Sequence, residues 1–552
     1  MNRYRWAAPG DVNAFFGLML DNIANLLLVV ALLPGVWGVA GNAAEKGQVE
    51  KFIIQKMIPG TALGVMVGDL MFFWIAFRLA KATGKNDVTA MPLGIDTPSV
   101  FGMILFVLGP AFHHAHGALK LDVMQSADYA WKLGMCALIT SGLFKLACSL
   151  VSGHIRRILP RAGLLGSLAA VALVLISMLP LLHIMRVPVV GFLSLAVILA
   201  ALVARVPLPW KLPGALGALL VGSVVYYLML FTGTLGHVPE QSIAGELGLL
   251  LPDWTVPWWT VYADSLKYLP IVLPFALATV VGGIDCTESA AAAGDEYHTG
   301  QVIAVEALAA IVAGLSGGVI QTTPYIGHPA YKAMGGRAAY TLATALFVGG
   351  AGLLGYFSFL FQWIPQPAIF PIMVFIGLEI TAQSYHATPS RHFPAVAVAC
   401  IPALAYLVMI YVDQLLFAGG LTLTSMEKQP HLLQMANELQ TMRIIAGGGS
   451  FILASLLWAS ALAAMIDRDL RRAAIYFAIA GLFSLFGIIH SPIQGGFLFL
   501  PWQLPADLPV AALSGQSPYY LCTAYLSAAA LLWIWSTFLP PAAVIEAEKH
   551  EE

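Results

Sequence analysis

Charge is what this chain has least of. Of its 552 residues, 10% are charged and 59% are hydrophobic, and the mean hydropathy is +0.82. Soluble chains carry about 25% charge. The polar residues here are too few to coat the roughly three or four soluble domains that the length would otherwise suggest. Net charge is −2 and no long basic run exists, which argues against nucleic acid as a partner. Cysteine is scarce too. Cys136, Cys148, Cys286, Cys400 and Cys522 are isolated and form no CxxC, so they read as packing residues rather than disulfides or metal ligands. HExxH and the phosphate-loop pattern GxxxxGK[ST] are missing, which speaks against a membrane-embedded protease or an NTPase.

What the chain has is a long series of apolar stretches of about 20 residues, each able to cross a bilayer. Hydropathy and chain breakers place spans near 12–34, 57–80, 92–112, 130–152, 160–182, 187–207 and 212–235. They resume near 266–290, 300–320, 322–334, 337–361, 366–386, 390–415 and 441–466, and two more follow near 471–490 and 518–540. The first run, Val12–Leu33, exceeds a signal-peptide core and contains Asp21, Asn22 and Asn25, so it reads as a retained span. With the N-terminus inside, Arg78, Lys81, Lys85, Arg156, Arg157, Arg161, Lys332, Arg337, Arg391 and Arg468–Arg472 all fall in cytoplasmic loops. This bias predicts both termini in the cytoplasm of an inner (plasma) membrane protein. The 236–265 loop, with Glu240, Glu246, Asp253 and Asp264, falls outside, and the tail after Pro541 is short and acidic.

Two of these segments are interrupted in the same way. The third reads Met91-Pro-Leu-Gly-Ile-Asp-Thr-Pro-Ser-Val-Phe-Gly102 and the tenth Thr322-Thr-Pro-Tyr-Ile-Gly-His-Pro-Ala-Tyr-Lys332. Gly94-Ile95-Asp96-Thr97-Pro98 aligns with Tyr325-Ile326-Gly327-His328-Pro329. Proline in a first helical turn is tolerated and leaves irregular backbone before it. Irregular backbone cannot face lipid. Two half-helices at corresponding places in two halves point to a solute site at the midplane, with helix N-termini aimed at it.

Seven carboxylates fall within spans: Asp21, Asp69, Asp96, Asp285, Glu288, Glu306 and Glu379. Unpaired and facing lipid, each would cost roughly 2.5–3.5 kcal/mol or more, so they face the interior. Asp285 and Glu288, three apart after Gly282-Gly283, share a helix face and suit a group that binds and releases a proton. The alternative is that they end the eighth span in water beside Asp295 and Glu296. Asp21 and Asn25 share a face and could line a cavity or bond between helices. Asp69, Glu306 and Glu379 read as structural partners of polar groups, with Lys145 a candidate counter-ion. His328 opens the second half-helix and is a cavity candidate. His113-His-Ala-His116 lies in an outer loop with no matching ligands elsewhere, so no metal is expected there.

These residues resemble the nucleobase–ascorbate transporter superfamily, which includes the xanthine/uracil permeases and related purine permeases. The resemblance covers the first fourteen spans and is clearest over Pro274–Gly336. Pro274-Phe-Ala-Leu-Ala-Thr279 looks like the opening of that family's eighth span and Asp285/Glu288 like its acidic centre. Ile311-Val-Ala-Gly-Leu-Ser-Gly-Gly318 and Gln321-Thr-Thr-Pro-Tyr-Ile326 look like its ninth span and tenth-span entry. An ungapped match from Pro274 instead puts Gly282 at the acid's place, and Gly327 and His328 stand where members carry a second Glu. The two C-terminal spans are an addition.

The resemblance implies an all-α, 7+7 inverted-repeat fold with core and gate domains, here as repeats 1–235 and 236–466 with two added spans in 467–552. It implies an elevator-type secondary transporter, commonly a homodimer, coupled to H⁺ or Na⁺ and needing no cofactor. The expected cargo is a small planar polar solute, a purine or pyrimidine base. Asp285, Glu288, Asp96, Thr97, Ser99, Tyr325, Gly327, His328 and Phe101 would form its site, with the ring stacking on Tyr325 and Phe101. Glu288, Asp285 and Asp21 are the proton-coupling candidates. The rival of the same fold is a sulfate- or bicarbonate-type anion transporter, since two facing helix N-termini suit an anion. A channel is the third reading.

Overall fold

The computed structural model describes residues 4–158, 161–209, 212–235, 247–325, 327–386, 388–418, 421–447, 451–492, 500–503 and 517–538. Glu240, Glu246 and the acidic tail expected above lie outside these residues. The described residues are mostly helical, with helices long and apolar enough for a multi-pass membrane protein, arranged as two inverted halves of seven segments each. Among the described residues, nine helices are long and apolar enough to span a bilayer, or up to eleven if each of two bent pairs is one span. The expected sixteen includes segments whose helical part is short, such as 188–203, 299–315 and the second half-helix.

The first half contributes α1 (Gly10–Val36), α2 (Ile58–Thr83), strand β1 (Leu93–Ile95), half-helix α3 (Thr97–Gly102, continuing to Gly117) and α4 (Val123–Ile158). It continues with α5 (Arg161–Val171), α6 (Pro188–Ile198) and α7 (Gly214–Phe231). The second half contributes α8 (Leu269–Ala292), α9 (Thr299–Leu315), strand β2 (Thr322–Pro324), half-helix α10 (His328–Ala333) and α11 (Ala339–Leu353). It ends with α12 (Pro371–His386), α13 (Phe393–Ala418) and α14 (Phe451–Ile466). Two further helices, α15 (Leu470–Leu485) and α16 (Ser517–Ser536), follow and pack on each other.

The repeat is visible in which helices touch. α1 packs on α11, and its counterpart α8 packs on α4. α2 packs on α11, and its counterpart α9 packs on α4. β1 lies against α1 and α2, and β2 against α8 and α9. Exchanging the halves therefore returns the same contacts. The strands run antiparallel in the register Leu93↔Pro324, Gly94↔Thr323 and Ile95↔Thr322. The sequence alignment through Pro98 and Pro329 makes Leu93 and Pro324 equivalent, and the structure pairs these two with each other. The pseudo-two-fold axis thus passes through that pair.

Packing divides the chain into two compact units, 1–158 with 176–376, and 159–175 with 377–552. In the first, Gln366–Ile369 rests on α6 and α7. In the second, α5 rests on α13 and α14, the mirror arrangement.

Local sequence explains the close contacts. A Cβ on Gly60 of α2 would collide with the backbone of Ser316–Gly318 at the end of α9, so only glycine lets these helices cross. Span eleven, expected to be continuous over 337–361, bends by 91° between Ala339–Leu353 and Phe357–Trp363. Gly355, at φ +75°, supplies the left-handed turn.

Candidate functional site

The two half-helices are positioned by side chains that bond to backbone. On α1, Asn22 Oδ1 accepts the Ile95 N–H at 2.8 Å, while Asp69 Oδ1 on α2 accepts the Leu93 N–H at 3.1 Å. The outer edge of β1 is thereby satisfied inside the bilayer by side chains rather than water. The ladder continues beyond β2, with the Asp96 N–H donating to the Gln321 carbonyl at 3.1 Å and the Tyr325 N–H to the Pro92 carbonyl at 2.8 Å. Asp69 therefore holds the broken segment, in line with its structural reading.

Asp96 is the N-cap of α3. Its carboxylate accepts the Ser99 N–H at 3.0 Å and also bonds the Ser99 hydroxyl. The N–H of Ser99, a residue expected in the solute site, is already taken by an acid from the same turn. A polar chain runs on from there. Gln321 Nε2 donates to Ser99 Oγ at 2.6 Å, and Ser141 of α4 donates to Gln321 Oε1 at 2.8 Å. One turn along α4, Lys145 Nζ meets Glu306 Oε1 of α9 at 2.7 Å, and both side chains are 0% exposed. Lys145 is thus the counter-ion of Glu306. A cavity of about 10 Å³, the size of one water, adjoins Ser99, Ser141 and Gln321 and is closed by Met103, Val272 and Phe275.

Asp285 and Glu288 lie on α8, both partly buried. Asp21 is buried on α1, where Asn25 Nδ2 reaches its Oδ1 at 3.3 Å and its Oδ2 lies near Gly94. Thr97 and Phe101 are buried in the half-helix. Phe101, proposed from sequence as a stacking surface, is enclosed at 0% exposure in this state and offers no open face. Tyr325 is partly buried and stacks on Tyr331, with centroids 6.1 Å apart. A Cβ on Gly327 would stand 2.6 Å from the Tyr325 ring, so glycine there sets the ring's position.

His328 is buried, with Nε2 3.1 Å from the Thr89 carbonyl and 3.3 Å from Asp295 Oδ2. Asp295, in the α8–α9 loop, also accepts the Thr89 N–H at 3.0 Å and pairs with Lys332 at 2.6 Å. Burial pushes the Asp295 carboxyl up. The bonds from His328, Lys332 and Thr89 outweigh burial and hold it below the usual carboxylate range. His328 and Lys332 of α10 are thus tied through one acid to the extended chain that precedes β1.

Sequence reasoning passed over Gln321, Ser141, Asn22 and Asp295. The available signal for the first was its place directly before the Thr-Thr-Pro break, where an amide in an apolar run must find polar side-chain partners. Glu379 bonds Gln383 one turn away at 2.9 Å. His113 and His116 bond backbone carbonyls, at 2.8 and 2.9 Å.

No protein-family model matches the sequence, and no curated protein matches it. Solved structures that resemble it include the transmembrane domain of a cyanobacterium bicarbonate transporter, BicA, at 16% identity and TM-score 0.42, over 72% of this chain and 97% of that one. Another is SLC26A9, at 12% identity and TM-score 0.49, over 73% of this chain and 65% of that one. These are likenesses of helix arrangement only, and nothing below rests on them.

Proposed function

We propose that this chain is a secondary transporter of a small polar solute, working by alternating access and coupled to H⁺ or Na⁺. The observation that carries the proposal is the pair of strand-led half-helices related by the pseudo-two-fold axis, the first buried throughout and the second through His328 and Tyr331. Irregular backbone within a span is tolerated where it is buried in protein or lines a water-filled cavity, and a matched pair of such breaks in two halves is the pattern of a solute site. A helix that merely needed to span would not retain it.

The charge around α3 favours an uncharged solute, with a purine or pyrimidine base as the leading candidate. The half-helix is capped by its own carboxylate, and Lys145 is spent on Glu306. Asp285 and Glu288 would accept ring N–H groups from α8, and Tyr325 would offer the stacking face. One observation favours a second reading, an anion of the bicarbonate or sulfate type. The N-cap of α10 is Gly327, which brings no side-chain acceptor, so that tip carries no carboxylate cap.

A thermal-shift and isotope-binding screen of uracil, xanthine, bicarbonate and sulfate over pH 5–8 separates the readings. Stabilisation by a base that is lost in Glu288→Gln and Asp285→Asn supports the first. Stabilisation by anions alone supports the second. Linear, non-saturating flux of every solute would remove both.

A further inference from the structure

Among the described residues of the first compact unit, Lys145 is the only buried lysine or arginine. It stands in a helical centre that also encloses Asp21, Asp69, Asp96 and Glu306. Three of these acids have hydrogen-bond donors beside them, from Asn25, Leu93 and Ser99. Glu306 has Lys145 on Oε1. Its other oxygen, Oε2, is buried with no hydrogen-bond partner. A bare carboxylate oxygen away from water loses its hydration and regains nothing.

The direction in which Oε2 points is informative. It faces Gly283 of α8, where a Cβ would lie 3.4 Å from it and 3.9 Å from Pro324 Cγ of β2. The neighbouring helix presents bare backbone at that spot instead of a side chain. The oxygen thus sits where α8, α9 and β2 meet.

We propose that Glu306 Oε2 is the docking point of a small monovalent cation, H⁺ or Na⁺, that is taken up with the solute. This rests on the transporter reading above and adds to it the place of the coupling ion. Lys145 occupies Oε1 of Glu306, so the added cation docks on the oxygen that Lys145 leaves bare. The titratable groups on the elements around α9 include Lys145 and Cys148 on α4, Asp69 on α2, Asp285, Cys286 and Glu288 on α8, and Asp96 at the tip of α3. The cation is also placed to be felt at the first half-helix. Lys145 lies one turn from Ser141, and Ser141, Gln321, Ser99 and Asp96 form a continuous hydrogen-bonded chain.

The test is thermal unfolding of the purified full-length protein in detergent, with no solute present. NaCl is compared with choline chloride at equal ionic strength, and each series is run across pH 5–8. The proteins are the wild type, Glu306→Gln, Lys145→Met and the double variant Lys145→Met/Glu306→Gln. Wild type is expected to gain about 5 °C from one arm, Na⁺ or falling pH, and that arm identifies the ion. The single variants unfold at lower temperature, because each strands a buried charge. The double variant recovers most of that loss, since no unpaired charge remains, yet shows no response to Na⁺ or pH. A double variant that keeps the wild-type response would overturn the proposal and leave the ion pair a structural element. A wild type indifferent to both cations would also overturn it, without bearing on the solute screen, which reads binding of a different molecule.

Discussion

The residues that matter most here are those that satisfy backbone where water is absent. Asp295 is the clearest case, because one carboxylate serves an N–H of the chain before β1 and two side chains of α10. Asp295→Asn should destabilise the protein by about 3 kcal/mol, since the negative charge that pairs with Lys332 is lost and an amide NH2 replaces one of the two acceptor oxygens. The measurement is urea or thermal unfolding in mild detergent. The same residue predicts an acid limb. Its carboxyl is held below the ordinary range in the folded chain, so its stabilising contribution is complete above the unfolded value of about 4. It is lost as pH falls through the lower folded value. The wild type should therefore lose stability below about pH 4, with a shallower slope in Asp295→Asn. At Gly327, a methyl group must displace the Tyr325 ring. Gly327→Ala should weaken solute binding at least tenfold while leaving the melting temperature within a few degrees, as read by isotope binding beside thermal unfolding. Binding at wild-type strength would remove Tyr325 from the site.

At the scale of elements, the broken segments were legible because proline recurs at matching places in the two halves beside glycine and polar residues, whereas Pro34, Pro274 and Pro402 lie inside continuous helices. Pro98 and Pro329 lack an N–H and disfavour helix before them, so both interruptions could be read directly. The pairing of β1 with β2 was not legible, because three-residue strands carry no usable alternation and the pair is specified by Asn22 and Asp69 from other helices. The inward turn of His328 was equally hidden, since it depends on Asp295, a loop residue more than thirty positions earlier in sequence. Lys145 could be nominated as a counter-ion from its position in an apolar run, but which of seven acids it meets is a matter of helix packing. The crossing of α2 and α9 gives an element-scale prediction. Gly60→Ala forces the helices apart and should cost about 1–3 kcal/mol, whereas Gly35→Ala, which meets nothing within 4 Å, should be near neutral. Equal melting temperatures for the two variants would show that this crossing yields without penalty.

For the whole molecule, the distribution of lysine and arginine implies an orientation that can be checked without knowing the solute. A cysteine replacing the exposed Asp253 should react with a membrane-impermeant maleimide in intact cells, and one replacing the exposed Lys81 only after permeabilisation. The native cysteines are buried apart from the half-buried Cys400, so background labelling should be low. Reversed labelling would invert the assigned topology and with it the side from which solute enters. The axis through Leu93 and Pro324 carries one more consequence. A carrier made of two identical halves would rest with equal ease open to either side, because the symmetry that swaps the halves also swaps the two facings. Here the swap exchanges Asp96 for Gly327, an acid for a residue with no side chain. In a carrier of the kind proposed above the degeneracy is lifted, and the empty protein is expected to prefer one resting side.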